Sequence, residues 1–267
     1  MSNDRVLEIK SVQVSPIRNM ITALKDVLTD ATITFTKQGM KIINFDKTHT
    51  ILVNVMLHAN KFEYYRCDPD KIIVCANTLH LFKVISTMSN DDTLCIYIDK
   101  QDYNDGVVSY LGLQYENGDI KQFYSQKLRL IEPDTEELVV PDVEYTTVIN
   151  MPTTDFQKIV RDMTGISDRI EVKSVGNDLI FYCEGNFASS KIYRSESGGN
   201  MEFINKPDAT TIVQGEFSLK SLSHFIKCTP LCSNLEIYIG NDLPFIVKYD
   251  VASLGSIKLC LASLPSS

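Results

Sequence analysis

The sequence predicts an α+β protein made of two copies of one domain, each holding two helices against antiparallel strands. Three observations predict it: four short segments with helical apolar spacing, a nearly constant offset between corresponding segments, and strand-like runs separated by turn residues.

The first helical segment is Ser15-Pro16-Ile17-Arg18-Asn19-Met20-Ile21-Thr22-Ala23-Leu24-Lys25-Asp26-Val27-Leu28, with Ile17, Ile21, Leu24 and Leu28 on one face. The others begin near Thr78 (TLHLFKVISTMS), Thr153 (TTDFQKIVRDMTGI) and Ser218 (SLKSLSHFIKCT). Ser15, Thr78, Thr153 and Ser218 are each expected to cap a helix N-terminus, and Pro16 suits a first turn. Ser15 precedes Thr153 by 138 positions and Thr78 precedes Ser218 by 140. The strand Thr93-Leu94-Cys95-Ile96-Tyr97-Ile98 precedes Asn234-Leu235-Glu236-Ile237-Tyr238-Ile239 by 141. Between the helices, strands are expected at Thr32-Ile33-Thr34-Phe35 before Gln38-Gly39, at 107–115 before Asn117-Gly118, and at 178–183 before Glu184-Gly185. The expected division is a first domain over 1–124, a connector over 125–144 and a second domain over 145–267. The connector carries acids, Pro133 and Pro141, and the apolar run Leu138-Val139-Val140, which a plain linker seldom has.

A chain of 267 residues accommodates two such domains. At 44% hydrophobic and 22% charged it is composed as a folded protein, not a disordered or fibrous one. No apolar run is long enough to cross a bilayer, the start Met1-Ser2-Asn3-Asp4-Arg5 lacks the core of a signal peptide, and no Asn-x-Ser/Thr occurs. A cytosolic or nuclear location without membrane contact is therefore expected. The cysteines include no C-x-x-C, and Cys228 and Cys232 have no second pair at zinc spacing, so buried thiols are expected and neither disulfide nor metal.

The net charge of −8 argues against nucleic-acid binding for the chain as a whole, but the distribution of the bases matters more. They fall largely off the apolar helix faces. Arg18 and Lys25 are two turns apart, as are Lys220 and Lys227 with His224 between; Lys158 and Arg161 are three apart, as are His80 and Lys83. Asp26, Asp155 and Asp162 dilute them. If the four helices share a wall, it attracts phosphates without reading base sequence. No hydrolase, nucleotide-binding or metalloprotease motif occurs, and the histidines at 49, 58, 80 and 224 are scattered. No catalytic group and no cofactor are expected.

Against this background Tyr65-Arg66-Cys67-Asp68 and Leu81-Phe82-Lys83-Val84-Ile85 resemble the most characteristic signature of the proliferating cell nuclear antigen family. Ala23-Leu24-Lys25-Asp26, the segment 39–52 with Asp46 and His49, Met151-Pro152 with Phe156 and Arg161-Asp162, Cys228-Thr229-Pro230-Leu231 and Asp242-Leu243-Pro244 are also similar to it. The likeness runs over about 6–262. It implies a duplicated sliding-clamp (processivity-fold) architecture and a non-catalytic homotrimeric ring around duplex DNA, with twelve helices lining the hole. Helices spaced about 10 Å apart put twelve on a circle roughly 38 Å across at the axes. Side chains reduce this to an opening of roughly 28 Å, which passes a duplex loosely.

The resemblance assigns channel contacts to Arg18, Lys25, Lys83, Lys158, Arg161, Lys220 and Lys227, with the family's DNA-associated segment at about 62–81. It assigns a partner pocket to Phe45, His49, Leu52, Leu138, Val140, Pro244, Leu261 and Ala262, filled by a Q-x-x-(aliphatic)-x-x-(aromatic)-(aromatic) peptide. The partners implied are a replicative DNA polymerase, a clamp loader, flap endonuclease and DNA ligase. Subunit contacts are assigned to strands at 107–115 and 188–195. Phe45 stands for a common methionine, Ser263 for a proline, Pro69 for a basic residue and Gly176 for the lysine that is ubiquitinated in many members; the acidic tail is missing. These departures imply a divergent member, of a protist or a virus of eukaryotes, acting in the nucleus or in a viral replication compartment. A subunit of a heterotrimeric checkpoint-type clamp is the alternative; an enzyme of unknown motif is disfavoured.

Overall fold

The computed structural model describes residues 4–117, 121–132, 138, 140, 143–198 and 200–265. Of the expected connector's apolar run, Val139 lies outside these residues, as does Gly118 of the expected turn. The chain divides into two units: Met1–Lys47, Val53–Leu138 and Asp250–Ile257 in the first, and Thr48–Leu52, Val139–Tyr249 and Lys258–Ser267 in the second.

The first repeat runs β1 (Arg5–Ser11), α1 (Val14–Val27), β2 (Asp30–Thr36), β3 (Gly39–Phe45), β4 (Ile51–His58), β5 (Tyr64–Cys67), β6 (Lys71–Asn77), α2 (Thr78–Ile85), β7 (Thr93–Asp99), the short hairpin β8 (Tyr103–Asn104) and β9 (Val107–Val108), β10 (Tyr110–Asn117) and β11 (Gln122–Arg129). Its strands are ordered β11-β10-β7-β1-β5 in one sheet and β4-β3-β2-β6 in the other. The second repeat runs β12 (Thr147–Pro152), α3 (Thr153–Thr164), β13 (Arg169–Val175), β14 (Asp178–Glu184), β15 (Ser189–Ser195), β16 (Glu202–Asn205), β17 (Ile212–Ser218), α4 (Leu219–Phe225), β18 (Asn234–Ile239), β19 (Phe245–Val251) and β20 (Gly255–Leu261). Its orders are β16-β12-β18-β19-β20 and β15-β14-β13-β17. Strand for strand these are the same two sheets, which makes the chain a duplicated α+β protein.

Each helix buries the face its apolar spacing predicts: Ile17, Met20, Ile21 and Leu24 in α1, and Phe156, Ile159, Val160 and Met163 in α3. Alternation along the strands supplies the facing side chains, for instance Leu111, Leu113 and Tyr115 of β10, all at most 2% exposed.

The helix ends depart from the sequence reading. Only Ser218 caps as expected, its hydroxyl accepting from Ser221 N. The N-caps of α1 and α3 are Gln13 and Pro152, neither with a side-chain capping bond to its helix, and α2 is capped by Asn77, which accepts from His80 N. Thr78 and Thr153 act instead on neighbouring loops. Their hydroxyls donate to loop carbonyls, Thr78 to Leu28 O and Thr29 O, and Thr153 to Cys232 O and Ser233 O. The fourth helix is also shorter than expected. Pro230 cannot donate to Ile226 O, so the α ladder stops at Phe225 and continues as a 3-10 turn over Ile226–Leu231. Thr229 Oγ1 takes Ile226 O instead, at 2.7 Å.

The strand expected over 107–115 breaks at Ser109, whose N–H goes to Asp102 O. From Tyr110 onward it becomes β10, bonded to β7 on one side and to β11 on the other. An edge-to-edge contact through 107–115 is therefore excluded over β10; among the described residues the strand that ends the sheet on this side is β11, with β5 at the other end.

Candidate nucleic-acid interface and partner surface

The bases assigned to the helices separate by repeat. Arg18 lies on the flank of α1 that faces α2, and its guanidinium donates to Met88 O at 2.6 Å and to Asn90 Oδ1. Met88 and Asn90 belong to the loop after α2, which Asp92 closes by accepting from Ser89 N and Asn117 Nδ2. Lys25, on the same flank, pairs with Asp26 at 2.7 Å and sits 4.9 Å from the Phe82 ring centroid. Lys83 of α2 is exposed.

In the second repeat Lys158, Arg161, Lys220 and Lys227 are all exposed. Like that of Lys83, their side chains make no hydrogen bond or ion pair among the described residues. Asp155, one of the diluting acids, is turned aside to Arg194 of β15 at 2.6 Å. Gln157, Arg161, Thr164, Ser223, Ile226, Lys227 and Pro230 line a shallow groove between α3 and the α4 region, with Arg161 and Lys227 among them. Exposed, unpaired lysine and arginine can take a phosphodiester oxygen without first breaking an internal bond, which suits sequence-independent backbone contact.

The residues assigned to partner binding are distributed over both units. In the first, Phe45 ends β3 and is 39% exposed, and Leu138 is half-buried. In the second, His49 is exposed with φ 55°, Leu52 and Val140 are half-buried, and Pro244 and Ala262 are exposed. Leu261 ends β20 and is buried. The second unit brings the 48–52 segment to the end of β20, Ala262 N donating to Thr50 O at 3.3 Å, and holds Pro244 through its carbonyl, which accepts from Tyr145 OH at 2.9 Å. Gly176, with φ 58°, turns the β13–β14 hairpin.

Sequence reasoning missed β11 as an edge. Its two faces read Phe123, Ser125, Lys127, Arg129 and Gln122, Tyr124, Gln126, Leu128, so neither shows the apolar alternation that signals a strand. It also missed Gln157, which donates to Ile226 O at 3.4 Å as Arg18 does to Met88 O. The repeat offset, which maps Arg18 onto Gln157, was the signal available for the latter; the β8–β9 hairpin of the first repeat shifts β11 out of that register with β20.

Among the described residues no group of three or more His, Cys, Asp or Glu side chains is placed to hold a metal ion, and no helix is long and apolar enough to cross a membrane.

A duplicated α+β chain whose paired helices carry unpaired bases has the architecture of a sliding-clamp protein. Comparison with known families agrees along both halves: residues 6–137 match the proliferating cell nuclear antigen N-terminal domain and residues 139–264 its C-terminal domain. A relative described as "Probable DNA polymerase sliding clamp 1", from Paramecium bursaria Chlorella virus 1, is 31% identical over 272 residues covering all of both chains. The chain belongs to the proliferating cell nuclear antigen family, as a divergent member.

Proposed function

We propose that this protein is a non-catalytic DNA polymerase sliding clamp, a homotrimeric ring that encircles duplex DNA and tethers replication proteins to it. The observation that carries the proposal is a pair of open sheet edges. Within the first unit, residues 255–257 of β20 lie beside β4, and His58 N donates to Leu254 O at 2.9 Å. The repeat counterparts of β4 and β20 are β15 and β11, and each ends its sheet with no strand on its outer side among the described residues. A joint made once inside the chain is thus available once more between chains, from β11 of one copy to β15 of the next. Such a head-to-tail contact uses two different surfaces and generates a ring when the rotation closes. Three copies of two repeats give the six-domain ring that the family resemblance implies.

In this reading Lys83, Lys158, Arg161, Lys220 and Lys227 face the DNA directly, while Arg18 and Lys25 contribute from the helix flank. Phe45, His49, Leu52, Leu138, Val140, Pro244, Leu261 and Ala262 receive a Q-x-x-(aliphatic)-x-x-(aromatic)-(aromatic) peptide from polymerase, loader, endonuclease or ligase. The bulk of Phe45 narrows that seat relative to methionine, so Phe45→Met broadens the range of peptides bound.

The test is topological. A replicative polymerase carrying such a peptide is assayed on linear primed duplex with the protein added, with both ends open or both blocked by biotin–streptavidin. Stimulation on open-ended DNA that disappears when the ends are blocked before addition supports an encircling clamp. Equal stimulation with blocked ends contradicts it.

A further inference from the structure

We infer that the second repeat carries most of the direct phosphate contacts, so that the ring presents three strong phosphate seats, one per subunit, instead of six equivalent ones. The inference rests on the sliding-clamp reading and deepens it.

The two first helices of the repeats superpose in sequence at an offset of 139, since α1 starts at Val14 and α3 at Thr153. At that offset the stripe opposite the buried face of α1 is Ser15, Asn19, Thr22 and Asp26, and the matching stripe of α3 is Thr154, Lys158, Arg161 and Gly165. These positions follow i, i+4, i+7 and i+11, so each set forms one line along its helix. The line on α1 is neutral with an acid at its end. The line on α3 holds two exposed cations and no acid.

The flank facing the second helix is exchanged in the opposite sense. Arg18 and Lys25 of α1 correspond to Gln157 and Thr164 of α3. Arg18 and Gln157 do the same structural work, each donating to a carbonyl in the segment after the second helix, Met88 O and Ile226 O. In the first repeat that bond occupies an arginine, and the neighbouring lysine is held by Asp26. In the second repeat a neutral glutamine makes it. Thr164 Oγ1 lies 3.4 Å from Ser223 Oγ, so hydroxyls and not charges line this side of the groove that Arg161 and Lys227 share. The two hydroxyls already donate to carbonyls of their own helices, Thr164 to Val160 O at 2.6 Å and Ser223 to Leu219 O at 2.9 Å, so a phosphodiester entering there meets two free cations as its donors and no carboxylate among the groove-lining residues.

The experiment compares two variants that each remove two bases, Arg161→Gln with Lys227→Gln and Lys25→Gln with Lys83→Gln, using the full-length protein. The readout is anisotropy of a short fluorescein-labelled duplex across salt, with a melt of each variant to establish folding. Each phosphate contact contributes about 0.9 to the slope of log K against log salt, so for every seat the duplex engages the first pair is expected to lower the slope by roughly two and affinity by at least about tenfold. The second pair is expected to lower the slope by no more than about one per subunit engaged. A third variant, Asn19→Lys with Thr22→Arg, transplants the α3 line onto α1 and is expected to raise affinity and slope. Equal losses from the two pairs, or no gain from the transplant, would overturn the three-seat arrangement while leaving the clamp reading intact. Wild-type protein without any salt-dependent binding would sink the clamp reading itself.

Discussion

Glu8→Gln is expected to destabilise the first unit severely. Glu8 is 3% exposed on the strand face turned away from the helices, and its Oε1 receives Arg5 Nη1 at 3.0 Å and Lys10 Nζ at 3.6 Å. Arg5 stacks on the Tyr97 ring, 3.9 Å from its centroid, and donates to Gln114 Oε1 at 2.9 Å, so the cluster ties β1 to β7 and β10. Lys127 extends it to the open strand β11 by pairing with Asp99 at 2.9 Å and Asp102 at 2.5 Å. Removing one partner of a buried ion pair leaves the other charge uncompensated, at a cost of about 3–5 kcal/mol. Asp99, 3.8 Å from Arg5 Nε, retains part of the compensation and places the variant at the lower end. A loss of about 3 kcal/mol lowers the melting temperature by roughly 6–12 °C. The assay is thermal unfolding at one fixed protein concentration, because association shifts the midpoint by mass action. Adding Arg5→Met to Glu8→Gln removes the stranded charge and should recover a substantial part of the loss. A change below about 0.5 kcal/mol for Glu8→Gln, or strict additivity of the two substitutions, would refute the reasoning.

Thr78→Val and Thr153→Val should each cost about 1–2 kcal/mol in urea unfolding, because each strips a hydroxyl from two loop carbonyls at nearly constant volume. Gly112→Ala should cost about 1–3 kcal/mol by overpacking, since its Cβ would lie 2.2 Å from Tyr97 Cζ, and Tyr97→Leu in the same chain should relieve the clash. Burial pushes the Cys260 thiol up to about 11. Below pH 9 both folded and unfolded thiols are neutral and stability is complete; between pH 9 and about 11 only the unfolded thiol ionises, so stability falls as pH rises. Cys260→Ala should make that alkaline decline shallower, and an unchanged slope in urea melts across that range would contradict the assignment.

The duplication and the four helices were legible because apolar side chains recur at helical spacing in a chain whose halves repeat it. The helix starts were less so. A threonine at a helix N-terminus looks the same in sequence whether its hydroxyl caps its own helix or, as at Thr78 and Thr153, reaches a loop carbonyl distant in sequence. Pro230 announced the end of the fourth helix, yet Lys227 still reads as helical because a 3-10 turn keeps it on the exposed side. The charge pattern was visible and its division was not. Arg18 and Lys25 align on α1 as their spacing requires, but only the positions of Met88, Asn90, Asp26 and Phe82 reveal that they serve the fold first. The edge strand was misassigned for a related reason: β10 has the stronger apolar pattern because it is bonded on both sides, whereas β11, which ends the sheet, is polar.

The most direct test of the proposed ring is the solution mass of the purified protein by light scattering across a dilution series. A mass near three times 30.1 kDa, held until the lowest concentrations, is the predicted result. A monomer that persists at high concentration would contradict closure through β11 and β15, and would leave the fold with a subunit that needs a different chain to complete its ring.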